Sequence, residues 1–333
     1  MKKRISLIVL AAFMLFAVCG CEKREQPLKT VRLNEVVHSV FYAPQYVAIE
    51  KGFFKDEGID IDLSVGQGAD KSMTALLSDS ADIALLGTEA GIYVYNEGCE
   101  DYAKPFAQLT QRAGNFLVAR KSMPDFKWTD LKGKQIIGGR KGGMPEMLLE
   151  YILKKNGLDK DKDLEIINNI SFESTAGAFS ANQGDFTVEF EPTASALEES
   201  GAGYVVASLG TESGYVPYTV YMARKSLIKS DPDLIQHFTN AIYKAQKWTQ
   251  EHTAEEIADV IQPDFKESSI ENLINIIDRY KEQDTWKPNP VFEKDSLELI
   301  EDIMENGGEL EKRVPYDEYI DTQFAKNAVK TIK

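Results

Sequence analysis

Three stretches decide the fold: Val31-Arg32-Leu33-Asn34-Glu35-Val36-Val37, Ile59-Asp60-Ile61-Asp62-Leu63 and Asp82-Ile83-Ala84-Leu85-Leu86. The first two alternate apolar and polar residues, as a strand with one inward face does; the third is a short apolar run of the kind a buried strand carries. Helical patterns lie between them. Pro44 to Lys51 presents Tyr46, Val47 and Ile49 as apolar contacts and stops at Gly52, while Asp70 is a candidate N-cap for a helix through Leu77. Thr88 to Asn96 reads as another helix and Phe106 to Thr110 as a fourth strand. This β-α-β-α-β-α-β order is that of a parallel sheet wrapped by helices.

Working outward, a second unit of the same kind follows. Gln135 to Gly139, Leu164 to Ile167, Phe186 to Phe190 and Tyr204 to Ser208 read as strands; Pro145 to Asn156, Thr175 to Asn182 and Pro192 to Glu199 read as helices. Phe116-Leu117-Val118-Ala119-Arg120-Lys121-Ser122 is echoed by Val220-Tyr221-Met222-Ala223-Arg224-Lys225-Ser226. The echo brackets the second unit, so it is expected to mark two adjacent strands crossing at a hinge near residues 110–122 and 214–224. Beyond it, Asp231 to Glu251, Ala254 to Gln262, Ser268 to Gln283 and Asp295 to Asn306 show helical spacing and are expected to return to the first lobe. Two such lobes leave a cleft at the carboxyl ends of their strands, where ligands of open α/β sheets bind.

The chain has 333 residues, 43% hydrophobic and 27% charged, with 38 Lys+Arg against 53 Asp+Glu and a formal charge of −15. That balance excludes the basic face of a nucleic-acid binder. Three cysteines and three histidines give no disulfide scaffold and no zinc pattern, so neither a metal nor a cofactor is expected. Lys2, Lys3 and Arg4 precede a 14-residue run, Ile5 to Val18, that is apolar except for Ser6. It is shorter than the roughly 20 residues of a membrane span and matches a signal-peptide core. Val18-Cys19-Gly20-Cys21 resembles a bacterial lipobox, with Cys19 where Ala or Ser is more usual; the other reading is an ordinary cleaved signal peptide. Residues 1–20 are therefore expected to be a lipoprotein signal peptide, with Cys21 lipidated and 21–30 a tether. Loss of the three leader charges takes the net charge to −18. The expected location is the outer face of the cell membrane, most simply in a Gram-positive cell.

Ala43-Pro44-Gln45-Tyr46-Val47-Ala48-Ile49-Glu50-Lys51-Gly52-Phe53-Phe54-Lys55-Asp56-Glu57-Gly58-Ile59-Asp60-Ile61 resembles the opening signature of extracytoplasmic solute-binding proteins of the nitrate/sulfonate/taurine and thiamine-pyrimidine-precursor group. Ser78 to Ala84, Asp130 to Ile136 and Phe190-Glu191-Pro192 resemble later segments of that group, and the resemblance spans roughly residues 31–250. It implies a periplasmic-binding-protein type II fold, two doubly wound α/β lobes joined by a two-strand hinge. Lobe I is expected over 31–120 and 219–333, lobe II over 121–218. It also implies a monomer whose partners are a small molecule and the permease of an ABC importer. The competing classes are a pyrimidine-synthesising enzyme, whose cysteine-rich motif this chain lacks, and a sensor, which would need an output module.

The resemblance places ligand contacts in loops after strands. In the first lobe these hold Ser39 and Tyr42, whose ring offers a stacking surface, then Gln67, then Gly87, Thr88 and Glu89, with Gln108 ending the strand nearest the hinge. Some have a second reading: His38 as a strand-end histidine, Gln67 as a turn residue, Glu89 as a complement to its helix dipole. In the second lobe the glycine-rich loop Gly138 to Pro145, with Arg140 and Gly142, presents N–H donors to an anion or is a tight turn. Glu189 and Glu191 flank Phe190 on one side of a strand, as ligand acceptors or as a buried ion pair. Tyr215 and Tyr218 would supply an aromatic wall. Aromatics and carboxylates outnumber cations in this set, which favours a planar ligand with N–H donors, such as an aminopyrimidine or a flavin, over a nitrate or sulfonate. The acid-rich stretch Glu293 to Glu311 is a solvated face or a permease-docking surface.

Overall fold

Alternating and apolar stretches become ten strands in the computed structural model, which describes residues 27–333. The expected leader and Cys21 lie outside the described residues. In chain order the elements are β1 (Lys29–Glu35), α1 (Ala43–Glu50), α2 (Phe53–Asp56), β2 (Ile59–Val65), α3 (Ala69–Leu77), β3 (Ile83–Gly87), α4 (Thr88–Asn96) and β4 (Ala103–Thr110). The chain then crosses to β5 (Asn115–Ala119), β6 (Gln135–Ile137), α5 (Met144–Lys155), β7 (Glu165–Ile167), α6 (Thr175–Ser180), β8 (Phe186–Phe190), α7 (Thr193–Glu199), β9 (Tyr204–Ser208) and α8 (Leu209–Ser213). It returns through β10 (Thr219–Arg224) to α9 (Lys225–Ser230), α10 (Pro232–Glu251), α11 (Ala254–Ile261), α12 (Ile270–Glu282), α13 (Lys294–Gly307), α14 (Tyr316–Tyr319) and α15 (Gln323–Thr331).

The first sheet has the order β2-β1-β3-β10-β4, and the second β7-β6-β8-β5-β9. In each, the first three strands run parallel and the fourth runs antiparallel to both of its neighbours. Register puts apolar residues side by side: Leu33 lies opposite Leu63 and Ile83, and Ile136 opposite Ile166 and Phe186. β3 and β8 are buried along their whole length; β3 accordingly reads as a continuous apolar run, whereas β8 buries Thr187 and Glu189 between its apolar residues. The two-lobed α/β architecture expected from the resemblance is present.

Outside the sheets, α10 shows how the helices cover them. Asp231 caps it by accepting from the Leu234 N–H at 3.1 Å, and Pro232 opens its first turn. Leu234, Ile235, Phe238, Ala241, Ile242 and Ala245 form its buried stripe, which packs on α1, α15 and β4.

Five expectations change. β1 starts at Lys29, so the last two residues assigned to the tether pair with Ile59 and Asp60. Asp70 is not the cap of α3; Gly68 holds that position and Asp70 sits in the first turn, where it complements the helix dipole. β5 belongs to the second sheet, so the first lobe ends in the crossing between Thr110 and Asn115 rather than at residue 120. For the same reason the echoed strands are not adjacent: β5 and β10 lie in different sheets. Finally, α13 packs mainly on α5 of the second lobe rather than returning wholly to the first.

Candidate functional site

The carboxyl ends of β1, β2 and β3 and those of β6, β7 and β8 border one cavity of about 350 Å³. The first lobe contributes Val36, Val37, Tyr42, Gln67, Gly87 and Glu89; the second contributes Arg140, Met144, Asn168, Phe172 and Phe190, and the returning chain adds Tyr218 and Thr219. The floor is fixed from below. Glu35, fully buried at the end of β1, accepts from Gln45 Nε2 (2.6 Å) and Tyr46 Oη (2.9 Å). His38 donates to Glu35 (3.1 Å) and to the Asp264 carbonyl (2.9 Å), and these bonds raise its imidazole to about 9. Gln67 holds φ at +57°, a left-handed conformation that is uncommon outside glycine and that turns the loop toward the cleft. The neighbouring Gly66 admits no side chain, since a Cβ there would lie 2.2 Å from Ser72 Oγ.

Glu89 is the chemical centre of the cavity. Its residue is 1% exposed, and its carboxylate folds back over Gly87 to the start of α4. The backbone N–H groups of Glu89, Ala90 and Met144, together with the Arg140 charge, draw its pKa down, but burial outweighs them and pushes it up to about 7. Oε2 has no hydrogen-bond partner among the described residues, and neither has the buried hydroxyl of Tyr218. Tyr42, Tyr218 and Phe190 enclose this polar spot with aromatic surface. Such a cavity presents acceptors and ring faces, and it lacks a buried cation.

Of the residues expected at the site, Tyr42, Gln67, Gly87, Glu89, Arg140 and Tyr218 line this cavity. The others are placed elsewhere. Ser39 caps the turn at Phe41 and donates to the Glu191 carbonyl. Thr88 Oγ1 donates to the Pro217 carbonyl at 2.7 Å. Gln108 Nε2 donates to the Thr110 carbonyl at 2.9 Å, and the Gly142 N–H donates to Glu146 at 3.0 Å. Glu191 is the buried ion pair of its second reading: Arg279 bonds one oxygen, and the Ser195 N–H donates to the other at 2.9 Å. Glu189 borders a side cavity of about 330 Å³ with His38, Phe172 and Glu191, where Thr187 (2.6 Å) and Thr175 (3.1 Å) donate to it. Tyr215 is 56% exposed, stacks on Arg112 and does not form an aromatic wall.

Sequence reasoning named the glycine-rich loop, which supplies Arg140, Gly143, Met144 and Pro145 to the lining, and missed Val36, Val37 and the loop Asn168 to Glu173. That loop follows β7 at its carboxyl end, so the strand-end rule pointed to it; it carries no motif of its own. At the rim, Lys71 pairs with Glu173 at 3.4 Å and Arg140 with Asp70 at 3.8 Å, each pair joining the two lobes.

The comparisons with known proteins agree on the fold. The chain is 46% identical over 314 residues, 94% of each chain, to a Bacillus subtilis protein named "Putative binding protein YtlA". Among solved structures, the ligand-binding component of an ABC-type import system from Staphylococcus aureus matches with a TM-score of 0.73 at 16% identity, over 90% of this chain and 99% of that one. The periplasmic aliphatic sulphonate binding protein SsuA of Escherichia coli matches at 0.68 and 16%, over 88% and 97%. The desulfurization enzyme DSZB matches at 0.63 and 16%, over 92% and 100%, so this fold hosts an enzyme as well as binding proteins. A family model described as "NMT1/THI5 like" matches residues 40–256, and the chain belongs to that family.

Proposed function

We propose that the protein is the substrate-binding component of an ABC importer and that its cleft takes a small planar nitrogen-containing heterocycle, of the kind of thiamine's pyrimidine precursor, for delivery to a permease. The lobe arrangement and the binding-protein relative support the first part. The ligand class rests on one observation: a buried carboxylate, Glu89, with an unpartnered oxygen inside an aromatic cavity. A buried acceptor of this kind is compensated by an N–H donor or a positive charge, and Tyr42, Phe190 and Tyr218 offer faces for a flat ring. The alternative, a sulfonate or nitrate, has the sulphonate-binding neighbour in its favour. It would have to displace Glu89 from the N–H groups that an anion needs. We read Cys21 as the lipid attachment point of an exported monomer that works outside the cytoplasmic membrane.

Residues 22–333 are purified and their thermal unfolding followed with aminopyrimidines, flavins, alkanesulfonates and nitrate. A ligand at 100 times its dissociation constant adds about 2.7 kcal/mol of stability. Stabilisation by a nitrogen heterocycle is the expected result. Stabilisation by sulfonates or nitrate alone would refute the ligand class.

A further inference from the structure

The two helices that open on the cleft both start on a glycine. Gly87 caps α4 and Gly143 caps α5, and neither has a side chain to accept from the first-turn N–H groups. α4 has nine residues and belongs to one lobe; α5 has twelve and belongs to the other. Two positive helix ends converging on one cavity make an anion site. Here the chain's own carboxylate takes that place. Glu89 Oε2 and Oε1 lie 2.1 and 2.6 Å from where a Cβ on residue 87 would stand, so the fold-back requires glycine there. The N–H groups of Glu89 and Ala90 in α4 and of Met144 in α5, with the Arg140 charge, favour the ionised form of the same carboxylate. The residue is 1% exposed, it lines the cavity, and Oε2 remains unpartnered.

We propose that Glu89 is a resident anion filling the cleft's own anion site, so that residue 89 decides whether the cleft takes N–H donors and cations or free anions. The proposal rests on the cleft being the ligand site, and it does not depend on which heterocycle binds. With Glu89 in place a sulfonate meets a negative charge where it needs N–H donors. Without it, the ends of α4 and α5 and the Arg140 guanidinium are free to hold an anion between the lobes.

The test titrates ethanesulfonate and nitrate calorimetrically, at pH 8 where Glu89 is ionised, into the wild type, Glu89→Ala and Gly87→Ala. The wild type is expected to bind neither. Glu89→Ala should gain roughly 10- to 100-fold in ethanesulfonate affinity, the size two helix ends acting together can give. Gly87→Ala keeps every polar group but pushes the carboxylate from its place, so it should gain in the same direction and decides the matter if Glu89→Ala fails to fold. A folded variant that binds no more ethanesulfonate than the wild type overturns the proposal, as does a wild type that binds it equally well. If the variants gain anion binding while no heterocycle binds the wild type, the heterocycle reading falls and the resident anion stands. If a heterocycle binds and the variants gain nothing, the reverse holds.

Discussion

Glu89 should make the ligand-free protein less stable as pH rises, and Glu89→Gln should remove that loss. Burial raises the carboxyl from 4.5 to about 7. Well below pH 4.5 it is protonated in both the folded and the unfolded chain and makes no difference. Between the two values the unfolded chain releases the proton and the folded chain keeps it, so stability falls by about 1.4 kcal/mol per pH unit. Above pH 7 both states are ionised and the loss levels off at about 3 kcal/mol. Burial is complete, so solvent screening does not reduce this figure. Glu189, also raised to about 7, produces a parallel fall, which makes the difference between wild type and variant the informative quantity. Glutamine keeps the size of the side chain and cannot ionise. Urea unfolding, followed by tryptophan fluorescence at pH 5 and pH 8, should show the variant gaining roughly 2–3 kcal/mol more over the wild type at pH 8 than at pH 5. Parallel pH profiles for the two proteins would refute a buried, proton-holding Glu89.

Four further outcomes follow from particular contacts. Arg279→Met leaves the buried Glu191 carboxylate without its main partner and should cost about 3–5 kcal/mol in urea unfolding, with Arg279→Met/Glu191→Gln recovering most of it. Tyr280→Phe removes the hydroxyl that donates to the Gly114 carbonyl (2.8 Å) and accepts from the Glu191 N–H (3.3 Å). The thermal midpoint should drop by an amount matching about 1–3 kcal/mol. Lys71→Ala breaks an exposed rim pair and should change stability by less than about 1 kcal/mol; a larger loss in the same assay would contradict a rim role. Tyr218→Phe removes a buried hydroxyl that has no partner, so calorimetry should show the ligand-free protein no less stable and the ligand affinity reduced by about tenfold.

What the sequence revealed depends on how local the cause was. α4 and β8 have the ends their patterns predict, because a glycine before Thr88 and the alternation of Phe186, Val188 and Phe190 with polar residues are local signals. Sheet membership was not local. β5 and β10 both run into the same Ala-Arg-Lys-Ser yet sit in different sheets, since the choice is made by the partners on either side. Polar residues at strand ends were ambiguous for the same reason. Thr88 and Glu89 are adjacent, but Thr88 is spent on a carbonyl at residue 217 and Glu89 lines the cleft. Glu191 could be assigned to an ion pair only once Arg279, 88 positions away, was seen beside it.

The echoed segment then acquires a physical meaning that its expected place at the hinge lacked. β5 and β10 are each the fourth strand of their sheet, and after each an arginine turns back over the loop that feeds the third strand. Arg120 donates to the carbonyls of Gly184 (2.7 Å) and Phe179 (2.8 Å) and to Asn182 Oδ1 (3.3 Å); Arg224 pairs with Asp79. Asp79 and Asn182 hold φ at +64° and +69°, the left-handed conformation that these two residue types tolerate best after glycine. Three positions later Asp82 and Asp185 each accept from a backbone N–H of the second strand, Arg32 at 2.9 Å and Gln135 at 3.0 Å. Each also donates its own N–H to that residue's carbonyl, at 2.9 and 2.7 Å. Each lobe thus locks its third strand to its second, and ties the third to the strand on which the chain crosses. The links outside these locks are the crossings between β4 and β5 and between α8 and β10. Each lobe carries its own helix, α4 after β3 and α5 after β6, and the starts of both border the cavity. A single side chain, Glu89, stands between those helix starts with its carboxylate buried in the cavity.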